Sequence, residues 1–152
     1  MTRDWNALIP RLPETWIDNV ADPLDVALTK GGDDLLISYI SFLWPDFVEY
    51  DGMVFRGAFD EESKVNVDSW KKSLGCDPSA TEAMVNHCHL MDVHDPTRVP
   101  LEVQLRFIGR TCVEMWKAKL SLDFPERSFE FHFVDEPGLP LREYQITFNC
   151  AR

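Results

Sequence analysis

The chain has no stretch approaching the ~20 consecutive apolar residues that would span a bilayer. Its start, MTRDWNALIPRL, has no basic segment followed by an apolar one, as a secretory signal would. A soluble, cytoplasmic protein with no membrane partner is therefore expected. No Cys-x-x-Cys occurs: Cys76, Cys88, Cys112 and Cys150 are scattered, and 152 residues bury a core without disulfides, so reduced thiols are expected. Neither Gly-x-x-x-x-Gly-Lys-Ser/Thr nor Gly-x-Gly-x-x-Gly is present, which removes the usual phosphate and dinucleotide loops. TKGGDD contains glycines, but two aspartates stand where backbone amides would meet phosphate, and the segment reads as a helix cap. There is no Gly-x-Ser-x-Gly and no His-Glu-x-x-His, so no residue is assigned a catalytic role and no cofactor is implied. Repeats and Gly/Ser linkers are missing too, and 1–152 is expected to form a single domain.

Positive charge is also scarce. Lys and Arg number 15 against 26 Asp and Glu, a net charge of −11. Phosphate contacts would be made against that field, so a nucleic-acid partner is not expected. The excess lies in the first half: residues 1–68 hold 14 acidic and 5 basic side chains, whereas 69–152 hold 12 and 10. Such an imbalance aids solubility, and it also suits a surface that steers a basic protein partner inward. The partner-binding candidates are Asp18, Asp22, Asp25, Asp33, Asp34, Asp60, Glu61 and Glu62.

Pro13 and Pro23 suit first helical positions and predict short helices over 13–20 and 23–30, with Gly31 as the terminating glycine. DDLLISYISFLWP predicts a helix with Asp33 as N-cap, Leu36, Tyr39, Ile40 and Leu43 on one face, and Pro45 as its stop. The apolar period then drops to two. FVEYDGMVFR sets Asp51 and Gly52 between two apolar runs, a type I′ hairpin signal because both central residues take positive φ. In that register Val48 faces Phe55 and Tyr50 faces Met53 on an apolar side. Glu49 with Val54, and Phe47 with Arg56, form a mixed and partly wet one.

DEESKVNVDSWKKSLG predicts a helix capped near Asp60 and ended by Gly75, with Val67, Trp70 and Leu74 inward. A longer helix is predicted over 99–122, where Leu101, Leu105, Ile108, Cys112, Met115, Trp116 and Leu120 form one buried stripe. RSFEFHFV and REYQITFN alternate strictly, placing Phe129, Phe131 and Phe133 on one side of a hairpin and Tyr144, Ile146 and Phe148 on its mate. The DEPGLPL loop between them is expected to be exposed. The tryptophans are expected mostly in the core, with Trp5 as a surface anchor.

The densest group of chemical side chains is NHCHLMDVHD, residues 86–95. It follows DPSATE, where Asp77 is a cap, Pro78 stands in the first turn, and Ser79 with Glu82 has capping-box spacing. If a helix continues through it, His87 and His89 point apart and the ligands scatter round the cylinder. If it is a strand, His87 and His89 share a face, an arrangement common in metal sites but in need of further ligands. His132 is the only other histidine besides His94. Histidines bonded to neighbouring backbone or carboxylates are the preferred reading, with partner contact or pH response beside it.

The stretch PDFVEYDGMVFRG with the VDSW that follows, within residues 45–70, resembles the NTF2-like (SnoaL-type) folds. That resemblance implies a small-molecule binder or enzyme with a pocket between hairpin and helices, using Tyr50, His87 or His89. The C-terminal third, EMWKAKLSLDFPERSFEFHFVDEPG and YQITF, resembles small uncharacterised bacterial proteins of toxin–immunity type. This second resemblance implies a non-enzymatic inhibitor of a basic toxin, in keeping with the acidic first half. Together these readings predict an α+β fold, with helices around a long central helix (about 99–122) packed on a small antiparallel sheet made from two hairpins (about 47–56 and 128–149).

Overall fold

In the computed structural model, residues 32–93 and 99–152 are described. The helices expected at 13–20 and 23–30 lie outside the described residues, as do Gly31, Asp18, Asp22, Asp25 and His94. The chain divides into two compact units, Met1–Ile40 and Ser41–Arg152. No linker-like composition marks the boundary, which falls inside helix α1 (Asp33–Leu43).

The described part of the first unit is the start of α1. Gly32, rather than Asp33, occupies the cap position, its carbonyl accepting from the Leu36 N–H at 2.9 Å. Asp33 and Asp34 therefore form the first helical turn, where carboxylates meet the positive end of the helix dipole. No residue of α1 is buried. Of the stripe expected on one face, Leu36, Tyr39 and Ile40 are 59%, 50% and 52% exposed, whereas Leu43 is half-buried against the main core.

The second unit is α+β, built on a 22-residue helix. Strands β1 (Phe47–Tyr50) and β2 (Met53–Arg56) form the expected hairpin, with Val48 opposite Phe55 and Tyr50 opposite Met53. Asp51 and Gly52 take φ of 53° and 73°, as the turn demands. The second side is partly wet, as expected: Glu49 is exposed and Arg56 half-buried, whereas Val54 is fully buried and Phe47 nearly so, in the main core. Met53 and Phe55 face the other way into a smaller core with Val67. Strand β2 is thus dry on both faces, because elements distant in sequence cover each.

Helix α2 (Glu61–Ser73) is capped by Asp60 and is followed by Gly75 at φ 67°. Val67 is its one buried residue, and Trp70, expected inward, is 38% exposed. A thirteen-residue helix runs ~20 Å, whereas the four-residue strands beneath it run ~13 Å, too short to cover every turn. Trp44 is likewise 37% exposed, leaving Trp116 as the buried tryptophan among the described residues.

Helix α3 (Pro78–Val85) precedes the two-residue strand β3 (Cys88–His89) and a 3₁₀ turn, Leu90–Val93. Helix α4 (Glu102–Asp123) opens with the Gln104 side chain accepting from the Leu101 N–H at 2.8 Å. Leu105, Gly109, Cys112, Trp116 and Leu120 make its buried stripe, close to the one expected. Strands β4 (Phe129–Val134) and β5 (Gln145–Cys150) follow, with the 3₁₀ turn Leu141–Glu143 between them. Their register sets Phe131 opposite Phe148 and Phe133 opposite Ile146, which keeps the alternating aromatic side chains on one face. The two hairpins stand in separate sheets: β1–β2, and a three-stranded antiparallel sheet in the order β3-β5-β4. Trp116 and Phe148 join the cores of helix and sheet, and the Trp116 indole donates to the Phe42 carbonyl at 2.9 Å.

Candidate functional site

The acidic candidates among the described residues fall into two groups. Asp33 and Asp34 open α1 in the first unit. Asp60, Glu61 and Glu62 open α2 in the second. Asp60 already has a local task, accepting from the Ser63 N–H and hydroxyl at 2.8 Å each. Those two bonds hold its carboxyl below the ordinary aspartate range. Glu61 pairs with Lys64 at 2.5 Å, and Glu62 is exposed.

The same pairing neutralises much of the positive charge. Arg106 binds Glu102 at 2.7 Å, Arg110 binds Asp135 at 2.7 Å, and Arg127 binds Glu49 at 2.6 Å. Lys71 with Asp51, Lys119 with Asp123 and Arg142 with Glu143 do likewise. Each pair uses one carboxylate for one cation, so the negative excess set by composition is unchanged.

The histidine cluster resolves as the strand alternative. Helix α3 stops at Val85, and Asn86 is its C-cap. The rings of His87 and His89 lie side by side with centroids 4.4 Å apart. Nε2 of His87 is 2.6 Å from the Gln145 side-chain oxygen, and Nδ1 of His89 is 3.0 Å from the Arg142 carbonyl. Among the described residues, no group of three His, Cys, Asp or Glu side chains is placed to hold a metal ion. A shallow concavity of about 280 Å³ lies beside His89, lined also by Met91, Asp92, Arg142 and Glu143. It is smaller than the enclosed, mostly apolar clefts that bury small ligands. Tyr50 stands elsewhere, in the smaller core against Phe59, its hydroxyl 3.4 Å from Asp68.

Burial disfavours the thiolate at three of the four cysteines. Burial pushes Cys112 up to about 12 and Cys150 up to about 11, and raises Cys88 as well. Cys76 is exposed.

The strongest polar constellation was not legible as such. Glu82, fully buried, accepts from the Val54 N–H at 2.7 Å and the Cys150 N–H at 3.0 Å, and pairs with Arg152 at 2.7 Å. Asn86, one turn on, donates to the Val54 carbonyl at 2.9 Å and the Phe148 carbonyl at 3.3 Å, and accepts from the Arg56 N–H at 2.9 Å. Two side chains of one helix end thus take the place of a strand between β2 and β5, satisfying the backbone groups that each edge turns towards the other. The expected Ser79–Glu82 capping box is corrected accordingly: Asp77 alone caps α3, accepting from Ser79 and Ala80. The available signal was a carboxylate followed by Ala83, Met84 and Val85, an acid inside an apolar run. This cluster is structural, because every one of its polar groups has a partner within the fold.

No protein-family model matches the chain, and no curated protein or solved structure gives a significant match.

Proposed function

We propose that this chain is a non-catalytic, acidic protein-binding module that neutralises a basic protein partner by occluding it, as an immunity protein does a toxin. The observation that carries the reading is α1. This eleven-residue helix opens with Asp33 and Asp34 and buries none of its residues. Leu36, Tyr39 and Ile40, at helical spacing on one stripe, are each about half exposed. Carboxylates at the rim speed encounter with a basic surface, and apolar anchors at i, i+3 and i+4 then hold a groove. The net charge of −11 is in keeping with the same reading.

The test is affinity capture from a lysate of the source organism at low and high salt, with mass spectrometry of what is retained. One basic protein recovered in stoichiometric amount, and weakened by salt, is the expected result. Failure to retain any protein at either salt would overturn the proposal.

A further inference from the structure

The three-stranded sheet has two edges, and they are treated differently. On the side of β5 that faces β3, the ladder ends after two residues, and Asn86 and Glu82 take over its backbone groups. The other edge is β4, six residues in unbroken register with β5. The Ala151 N–H bonds the Ser128 carbonyl at 2.8 Å, and the Leu90 N–H bonds the Tyr144 carbonyl at 2.9 Å. Antiparallel pairing alternates, so these two bonds fix which groups point where. Ser128, Glu130, His132 and Val134 bond towards β5, and the N–H and C=O groups of Phe129, Phe131 and Phe133 point outward. Among the described residues nothing pairs with those six groups. β4 also lacks the devices that usually blunt an edge: it has no lysine, no proline and no bulge.

We propose that β4 is a dimer edge, at which a second copy pairs antiparallel about Phe131 to make one six-stranded sheet. The outward groups dictate the register. Phe131 must oppose Phe131 of the second copy, and Phe129 must oppose Phe133, because only then do outward N–H and C=O groups meet. That register sets Glu130 of each copy opposite His132 of the other, twice, on the exposed face. It is a complementary pair in the closely spaced, non-hydrogen-bonded position where cross-strand side chains interact most. A shift of two residues keeps the backbone bonding but loses this double match. The two-fold symmetry is the ordinary one for a homodimer. This inference rests on the second unit alone and is independent of the acidic surface.

Sedimentation equilibrium of the full chain over a wide concentration range reads the association directly, with a monomer–dimer equilibrium expected. Glu130→Lys and His132→Glu, both on exposed positions that leave the core intact, should each weaken it roughly fivefold or more. The swapped double variant, E130H with H132E, should restore it. Register is read by disulfide trapping in a Cys76→Ser background. Mixed Glu130→Cys and His132→Cys chains should cross-link under mild oxidation, and neither alone should, because like positions lie diagonally. A chain that stays monomeric at every concentration overturns the proposal. So does a dimer indifferent to both single charge variants, a cross-link formed by either cysteine variant alone, or an edge that takes an extended peptide but not a second copy.

Discussion

Glu82 and Asn86 lie one turn apart and do the work of a missing strand, so their removal tests how much a fold depends on backbone satisfaction. Glu82→Ala leaves the buried Val54 and Cys150 N–H groups unpaired and should cost about 3 kcal/mol or more in denaturant unfolding. Glu82→Gln, which keeps only part of the acceptor capacity, should fall between. Asn86→Asp should do at least as badly as Asn86→Ala, because a carboxylate oxygen would replace the donor that meets two carbonyls. Gly109 is a second test. It is buried under the Phe133 ring, and an added Cβ would fall inside that ring's contact distance. Gly109→Ala should cost about 1–3 kcal/mol by overpacking, and Phe133→Leu in the same chain should recover part of it. A thiol titration of the native protein should find one fast group, Cys76, and all four cysteines only after unfolding.

At the scale of the element, helix ends carry the local information. Asp60→Ala removes the cap of α2 and should lower the melting temperature, with Asp60→Asn restoring most of the loss. The pH dependence follows from the sign of the shift. Asp60 in the folded chain titrates below its unfolded value, so its stabilising effect is complete at neutral pH. It is lost as pH falls through the lowered value, and the Asp60→Asn variant should show a flatter acid limb in that range. Helix α1 is a different kind of element. Its apolar stripe is that of a packed helix, yet none of its residues is buried, which is why it is proposed as the binding element.

For the whole molecule, the uneven charge is the property to perturb. Reversal of Asp33, Asp34 and Glu62 together should slow association with the basic partner and flatten its salt dependence, with a smaller change in dissociation. Stopped-flow association at several ionic strengths reads this, and an unchanged rate at low salt would sink the steering account. All three carboxylates stand in the first turns of α1 and α2, so their reversal should also lower the unfolding transition modestly, by about 0.3–1 kcal/mol each.

Periodicity and turn chemistry, both local, were enough to determine the α+β class, the hairpin register at Asp51-Gly52, the existence of the C-terminal hairpin, and the stripe of α4. The Asp60 and Asp77 caps were legible for the same reason, since a cap contacts residues two or three positions away. Only the tertiary structure decided which of these faces are dry. Val54 is buried because α3 and β5 reach it from 28 and more residues away, and Trp70 is exposed because short strands leave part of α2 uncovered. It also decided what Glu82 does: by spacing the residue belongs to a cap, and in three dimensions it satisfies two edges that sequence cannot bring together. Burial is a property of what covers a residue, and the covering elements here are distant in the chain.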